Sequence, residues 1–171
     1  MKKEFLDAMN VHMLAELQSS YVYMSMAAWL DFSNRPGMAK WMMKQAAEEH
    51  EHALMFYRHI TDRGGRAVWP NLPQLKINWK NCTELWTDTY NHEKEITQKI
   101  QNLLALARKS GEHPSEYFLI EFLAEQIEEE KMTHDILMKI KSVEGDASGM
   151  IFMDDKLGKR SGTEPMPKLA D

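Results

Sequence analysis

Apolar residues recur every three or four positions over four long segments of the chain, which is the spacing of one face of an α-helix. Glycine and proline fall at the ends of these segments or between them. The segments cover about residues 3–34, 37–63, 81–109 and 114–144, and they are rich in strong helix formers. The sequence therefore predicts four long helices.

Capping residues support these boundaries. Pro36 and Pro114 suit the first turn of the second and fourth helices. Asn81, followed three residues later by Glu84, resembles a capping box at the start of the third helix. Each of these signals predicts a helix start where the apolar pattern also begins.

The connections predict the topology. Two of them are only a few residues long, so the first and second helices, and the third and fourth, form antiparallel hairpins. The connection over residues 64–80 has about 17 residues, enough to span roughly 55 Å, whereas a helix of about 28 residues is roughly 42 Å long. We predict an all-α four-helix bundle with one long crossover loop. Its expected packing residues are Trp69, Pro70, Leu72, Pro73, Leu75, Ile77 and Trp79.

The chain continues beyond the fourth helix. Met150, Ile151, Phe152 and Leu157 can form the apolar face of a short fifth C-terminal helix. Residues 161–171 have the polar composition of a disordered tail. We therefore expect one domain over residues 1–160.

The amino-acid composition argues against some classes of binding partner. The formal net charge of −5 and the lack of a basic stripe argue against nucleic acid. No apolar run reaches the length of a signal peptide or a membrane span. The single cysteine, Cys82, suits a reducing compartment. We expect a cytoplasmic protein that contacts neither membrane nor nucleic acid.

Polar residues interrupt the apolar stripe near the middle of all four helices. Moving ionised carboxylates out of water costs several kcal/mol each unless opposite charge compensates, so carboxylates at such positions indicate a bound cation. The residues are Glu16 on the first helix, Glu49 and His52 on the second, Glu93 on the third, and Gln126 and Glu129 on the fourth.

The Glu49-x-x-His52 pair alone is weak evidence, because runs of Glu and His are also typical of a solvated helix face. Carboxylates at the same level on four helices are harder to explain by chance. The four Glu side chains would carry a charge of −4, which two divalent cations balance. A ligand set of carboxylates with one imidazole favours iron over zinc, with manganese as an alternative.

Three strings at these positions resemble the ferroxidase centre of prokaryotic-type non-haem ferritins: ELQSSYVY over 16–23, AEEHEH over 47–52 and EQIEEEK over 125–131. The resemblance covers nearly the whole chain and implies the ferritin-like bundle with two irons per subunit.

The resemblance also implies roles for the residues. Glu16, Glu49 and His52 would bind the first iron, and Glu49 would bridge to the second. Glu93 and Glu129 would complete the second site. Beside these ligands would lie Gln126 and Tyr23, the latter matching a tyrosine that ferritins place near the centre, although an ordinary core tyrosine fits the stripe equally well.

A third iron site is a further implication of the resemblance. Glu48, Glu125 and Glu128 match its ligands, with Glu49 or Glu129 shared. The alternative is a solvated acidic face.

Two other acidic residues bear on the resemblance. Glu121 stands where many relatives have an aromatic residue, which argues against an electron donor there. Glu116 matches a region that lines channels for iron entry in ferritins, but a carboxylate that stabilises the start of the fourth helix is an equal alternative.

Related subfamilies differ at this centre. Bacterioferritins and rubrerythrins carry a second Glu-x-x-His on the fourth helix, where this chain has Gln126-x-x-Glu129. Bacterioferritins also have a haem-binding methionine where this chain has His50. We therefore expect no haem.

The resemblance implies an iron-storage ferroxidase that oxidises Fe(II) with O2 or peroxide and deposits ferric mineral inside a homo-oligomeric cage of 24 subunits. Apolar side chains expected on the outside of the bundle fit subunit contacts: Trp41, Trp69, Trp79 and Trp86. Two alternatives stay open at this point: a rubrerythrin-like di-iron oxidase or peroxidase, and a metal-free helical interaction module.

Overall fold

A computed structural model describes residues 1–159 of the protein. Over these residues the chain forms five helices, and the bounds of the first four differ from the predicted ones by at most two residues. The prediction of a disordered tail concerns residues outside the described part. The helices are α1 Lys3–Phe32, α2 Pro36–Asp62, α3 Cys82–Ser110, α4 His113–Ser142 and α5 Ala147–Gly158.

The predicted cap of α3 is present. The Asn81 side chain accepts a hydrogen bond from the Glu84 backbone N–H at 2.8 Å. The Glu84 carboxylate accepts one from the backbone N–H of Lys80, one residue before the capping residue, at 2.7 Å. At the other end, α3 stops at Gly111, whose φ of 72° is left-handed and favours glycine.

Two apolar clusters occupy opposite ends of the bundle, and a polar layer separates them. One cluster contains Leu30, Met38 and Trp86. The other contains Phe5, Phe56, Phe118 and Phe122. Because the hairpins are antiparallel, each of the four long helices passes from one cluster to the other through the polar layer. The four-helix bundle is confirmed, and the six residues predicted for the di-iron centre lie in that layer: Glu16, Glu49, His52, Glu93, Gln126 and Glu129.

Polar contacts hold the crossover loop against α1 and α3. The Asn10 side chain accepts from Val68 N at 2.7 Å, and Ser25 donates to the Lys76 carbonyl at 2.9 Å. Asn10 and Ser25 are 15 residues apart, which corresponds to roughly 22 Å of α1. The loop therefore runs along the bundle as predicted.

The expectation that the loop packs through its apolar residues was largely wrong. Trp79 is buried, and its indole N–H donates to Asp88 at 2.9 Å. Leu72 and Leu75 are half-buried. The remaining predicted packing residues are exposed: Trp69, Pro70, Pro73 and Ile77. Hydrogen bonds from α1 and α3 and the buried Trp79 fix the loop, so its other apolar side chains need not reach the core.

The expectation that Trp41, Trp79 and Trp86 lie on the outside was also wrong. Trp41 is 1% exposed and Trp86 is fully buried. Their rings meet edge to face with centroids 4.9 Å apart, a favourable aromatic geometry. Trp41 lies one position before the stripe residue Met42, and Trp86 lies one position after Leu85. Both reach the core because the buried face of each helix is wider than the stripe. Trp69 alone of the four is exposed.

Helix α5 docks on the start of α2 through a carboxylate. Asp154 accepts hydrogen bonds from the backbone N–H groups of Gly37 at 3.1 Å and Met38 at 2.8 Å. A side chain at Gly37 would collide with the Asp154 backbone carbonyl, and one at Gly158 would collide with Gly37. The close approach of α5 and α2 thus requires glycine in both helices.

No helix in the described part of the chain combines the length and apolar content that a membrane span requires.

We expect Asp154→Ala to destabilise the protein by roughly 1 kcal/mol, because two N–H groups at the start of α2 lose their capping carboxylate. Chemical unfolding at neutral pH measures this difference. Asp155→Ala is the matched control, since Asp155 is the exposed neighbour on the same helix. Equal effects of the two substitutions would contradict the capping role.

Candidate metal centre

Six predicted residues meet in the polar layer between the two apolar clusters. Each of them is buried, with at most 6% of its surface exposed. They are Glu16 from α1, Glu49 and His52 from α2, Glu93 from α3, and Gln126 and Glu129 from α4.

Three of these side chains already form a set of donors for one cation. Donor atoms of Glu16, Glu49 and His52 lie within 4.8 Å of one another. Within the set, His52 Nδ1 is 3.3 Å from Glu49 Oε2, as the three-residue spacing on α2 requires. Two carboxylates and an imidazole are a donor set suited to a first-row transition metal such as iron.

Glu93 and Glu129 lie outside this set, and neighbouring side chains donate hydrogen bonds to both. The Tyr23 hydroxyl donates to Glu93 Oε1, and the Gln126 amide donates to Glu93 Oε2 at 3.1 Å. On the other side, the Gln45 amide donates to Glu129 Oε2 at 2.9 Å. The second half of the proposed ligand set is thus hydrogen-bonded within the protein.

The residues of the predicted third site are more scattered. Glu125 Oε2 lies 3.3 Å from His52 Nε2, so this carboxylate faces the centre. Glu48 is half-buried and Glu128 is exposed. These three carboxylates do not appear together as a donor set among the described residues, and their role stays a prediction.

Burial and mutual repulsion set the protonation of two carboxyls. Burial raises the pKa of Glu49 to about 8, with His52 opposing the shift and the charge of Glu16 adding to it. Burial likewise raises the pKa of Glu93 to about 8, with a further contribution from Glu49. The metal-free centre therefore retains protons near neutral pH.

The other groups respond to these charges. Burial opposes ionisation of Glu16, but the neighbouring His12 and His52 outweigh it and lower the Glu16 pKa. Burial by itself would lower the pKa of His52, whereas Glu125 and Glu49 raise it well above its usual value. Burial and the Glu93 carboxylate raise the pKa of Tyr23 well above its usual range. Tyr23 accordingly stays a hydrogen-bond donor.

Sequence reasoning missed two side chains at the centre, Gln45 and His12. Gln45 lies on the apolar stripe of α2, and its contact with Glu129 depends on the rotation of α2 against α4. His12 Nε2 lies 2.7 Å from Glu16 Oε1. The contact of His12 with Glu16 could have been predicted from the sequence, because residues four positions apart are neighbours on one face of a helix.

Glu116 and Glu121 lie away from the centre. Glu116 Oε1 is 2.7 Å from Arg108 Nε, and the hydrogen bond from this guanidinium lowers the Glu116 pKa. Glu121 is half-buried on α4. The role of Glu116 in iron entry stays a prediction, with the ion pair to Arg108 as its structural role.

We expect Glu49→Gln to stabilise the metal-free protein, with a larger gain at pH 8 than at pH 5. The folded protein keeps the Glu49 proton up to about pH 8, whereas the unfolded chain loses it near the ordinary carboxyl pKa of about 4.3. Wild-type stability therefore falls as pH rises through this window, by roughly 1.4 kcal/mol per pH unit at most. Glutamine has no such proton to lose.

Thermal unfolding of chelator-treated protein at pH 5 and pH 8 measures the difference. Glu51→Gln is the matched control, since Glu51 is exposed on the same helix. A gain for Glu49→Gln that is the same at both pH values would contradict the assigned protonation.

Comparison with known proteins identifies relatives that are ferritins. The ferritin-like domain family matches residues 6–143. A bacterial non-heme ferritin of Staphylococcus aureus strain USA300 is 31% identical over 164 residues, which are 96% of this chain and 99% of that protein. The bacterial non-heme ferritin of Staphylococcus saprophyticus is 32% identical, with 96% and 98% covered.

Solved structures agree. A closed form of the Archaeoglobus fulgidus ferritin, engineered by site-directed mutagenesis, superposes with a TM-score of 0.93 at 30% identity over 95% of this chain and 99% of that one. The open-pore ferritin of the same archaeon gives a TM-score of 0.92 at 29% identity, with 94% and 99% covered. Together, the match over residues 6–143 and the buried carboxylate–histidine centre show that this chain belongs to the ferritin family.

Proposed function

We propose that this ferritin oxidises and stores iron through the residues of the polar layer. In this proposal Glu16, Glu49 and His52 bind the first Fe(II), and Glu49 bridges to a second that Glu93 and Glu129 complete. The observation that carries the proposal is the buried set of three donors within 4.8 Å of one another. Two divalent cations would compensate the carboxylates that burial otherwise keeps protonated.

The chemistry balances with two irons. Two Fe(II) ions give up two electrons as they become Fe(III). With two protons, these electrons reduce O2 to hydrogen peroxide, or peroxide to two molecules of water. The protein's part is to hold both metals close enough to share one oxidant. The Fe(III) then leaves for the mineral, so iron is the substrate and cargo of this ferroxidase.

Iron binding is coupled to proton release in this proposal. Glu49 and Glu93 each have a pKa raised to about 8, and a carboxyl must lose its proton to bind a cation. Fe(II) binding should therefore strengthen as pH rises toward 8. The hydrogen bonds from Tyr23 and Gln126 to Glu93 keep that carboxyl in place until the metal arrives.

A rubrerythrin-like reaction has less support. Gln126 occupies the place of the first residue of the second Glu-x-x-His motif, and its amide is committed to Glu93. A ligand set with one histidine suits iron that is passed onward. A metal-free interaction module is disfavoured because such a protein would bury the four carboxyl groups of the polar layer at a cost in stability and make no use of them.

Assembly into a cage of 24 subunits in the cytoplasm is part of the proposal. Apolar side chains remain exposed on α5, where Ile151 is 59% and Phe152 65% exposed, and on the crossover loop, where Trp69 is 46% exposed. Such residues suit subunit contacts. The single cysteine of the sequence, Cys82, is a free thiol, which suits a reducing compartment.

We expect Glu49→Ala to abolish rapid oxidation, because Glu49 contributes to both iron sites. Stopped-flow absorbance at two Fe(II) per subunit measures the rate. His52→Ala should weaken mainly the first iron. Glu128→Ala is the matched control, since Glu128 is exposed on α4, and it should keep the first turnover while altering later ones. Rapid oxidation of wild-type rate in Glu49→Ala would place the centre elsewhere.

We expect the purified protein to have about 24 times the 20.0 kDa mass of the chain and to take up far more iron than two per subunit. Light scattering after size exclusion measures the mass, and iron analysis after aerobic loading measures the uptake. A monomer or dimer with stoichiometric iron would favour the rubrerythrin-like alternative instead.

A further inference from the structure

A second histidine lies against the ligand set. His12 is 3% exposed, and its Nε2 lies 2.7 Å from Glu16 Oε1. Neither His12 Nε2 nor either oxygen of Glu16 makes a hydrogen bond of normal geometry, with each other or with another described residue, so the pair is a close contact between an imidazole and a carboxylate. The imidazole and the carboxylate thus lie in contact as a buried pair one turn apart on α1, beside the donors of Glu49 and His52.

Aromatic packing fixes the position of the His12 ring. The ring lies 4.6 Å from that of Phe56, measured between centroids. Phe56 in turn packs on Phe118 at 5.0 Å and on Phe122 at 4.9 Å. All three phenylalanines belong to one apolar cluster. The His12 ring is therefore held against the apolar cluster that contains these phenylalanines.

We propose that His12 is a positioning residue for the first iron site. The contact of Nε2 with Oε1 of Glu16 restrains that oxygen, with the imidazole as donor once the metal draws the carboxylate into line, and keeps the other carboxylate oxygen, Oε2, available to the metal. The inference rests on the proposed function, since it assumes that Glu16 is a ligand. Partners that orient a ligating carboxylate typically change metal affinity or activity 10–100-fold when removed.

The geometry favours positioning over ligation by His12 itself. The donor atoms that lie within 4.8 Å of one another come from Glu16, Glu49 and His52, and His12 is not in that set. Its ring nitrogen is instead next to an oxygen of one ligand. A side chain in that place acts on the metal through the carboxylate.

Co(II) binding tests this proposal without any oxidation step. We expect His12→Leu to weaken the first Co(II) equivalent about tenfold, while the second equivalent changes less. His12→Gln should stay near wild-type affinity, because its amide N–H can replace Nε2–H. His12→Asn gives a second test should the leucine variant fail to fold, since its shorter amide stays polar but does not reach Glu16. It should lose affinity as leucine does.

His59→Leu is the matched control. The His59 ring stacks on Phe118 at 4.3 Å and its Nε2 contacts Ser115 Oγ at 2.8 Å, away from the ligand set. It should lose packing and keep Co(II) affinity. Visible absorption titrations of the metal-free proteins measure both equivalents, and melting curves report the packing loss separately.

The outcomes separate the two proposals. Wild-type protein that binds fewer than two Co(II) per subunit would overturn the proposed function and this inference with it. Normal wild-type binding with unchanged affinity in His12→Leu and His12→Asn would overturn the inference alone. A loss in His12→Gln as large as in His12→Leu would show that the imidazole itself is required, which also overturns positioning through a hydrogen bond.

Discussion

The structure depends on compensating the free-energy cost of the carboxyl groups that are buried together in the polar layer. Glu16, Glu49, Glu93 and Glu129 come together between two apolar clusters, where an uncompensated carboxylate is costly. In the metal-free protein, burial keeps protons on Glu49 and Glu93. Histidines beside Glu16 and amides beside Glu93 and Glu129 supply the remaining compensation. The apolar clusters on either side provide the stability that lets this layer persist.

The fold could be predicted because its signals are local and periodic. Helix ends at Asn81 and Gly111 and the short connections gave boundaries and topology that the structure confirms. Glu16, Glu49 and Glu93 could be placed in the polar layer because each lies on an apolar stripe. Trp41 and Trp86 were misplaced because a stripe is narrower than the face that a four-helix bundle buries. The sequence of the crossover loop has no hydrophobic periodicity, so it could not be predicted which of its residues are buried.

The contacts inside the site were less accessible from sequence. The amide of Gln45 reaches Glu129 across two helices, and such pairs depend on how the helices rotate and shift against each other. The hydrophobic pattern of the sequence predicts which residues of different helices lie at the same height in the bundle. It does not predict which of their side chains are in contact. His12 is the exception, since its contact with Glu16 lies within one helix and follows from the four-residue spacing.

The two proposed metal sites of the centre differ in how far their ligands are already arranged to bind a cation. This difference indicates which site binds a cation first. Glu16, Glu49 and His52 already lie within 4.8 Å of one another, so a first cation needs little rearrangement. Glu93 is held by Tyr23 and Gln126, and Glu129 is held by Gln45. A second cation must compete with those hydrogen bonds. The first cation lowers that barrier because its charge favours ionisation of the neighbouring carboxyls. Preorganisation on one side and hydrogen-bonded restraint on the other would thus allow the centre to fill in sequence and, once its iron is oxidised, to release it again.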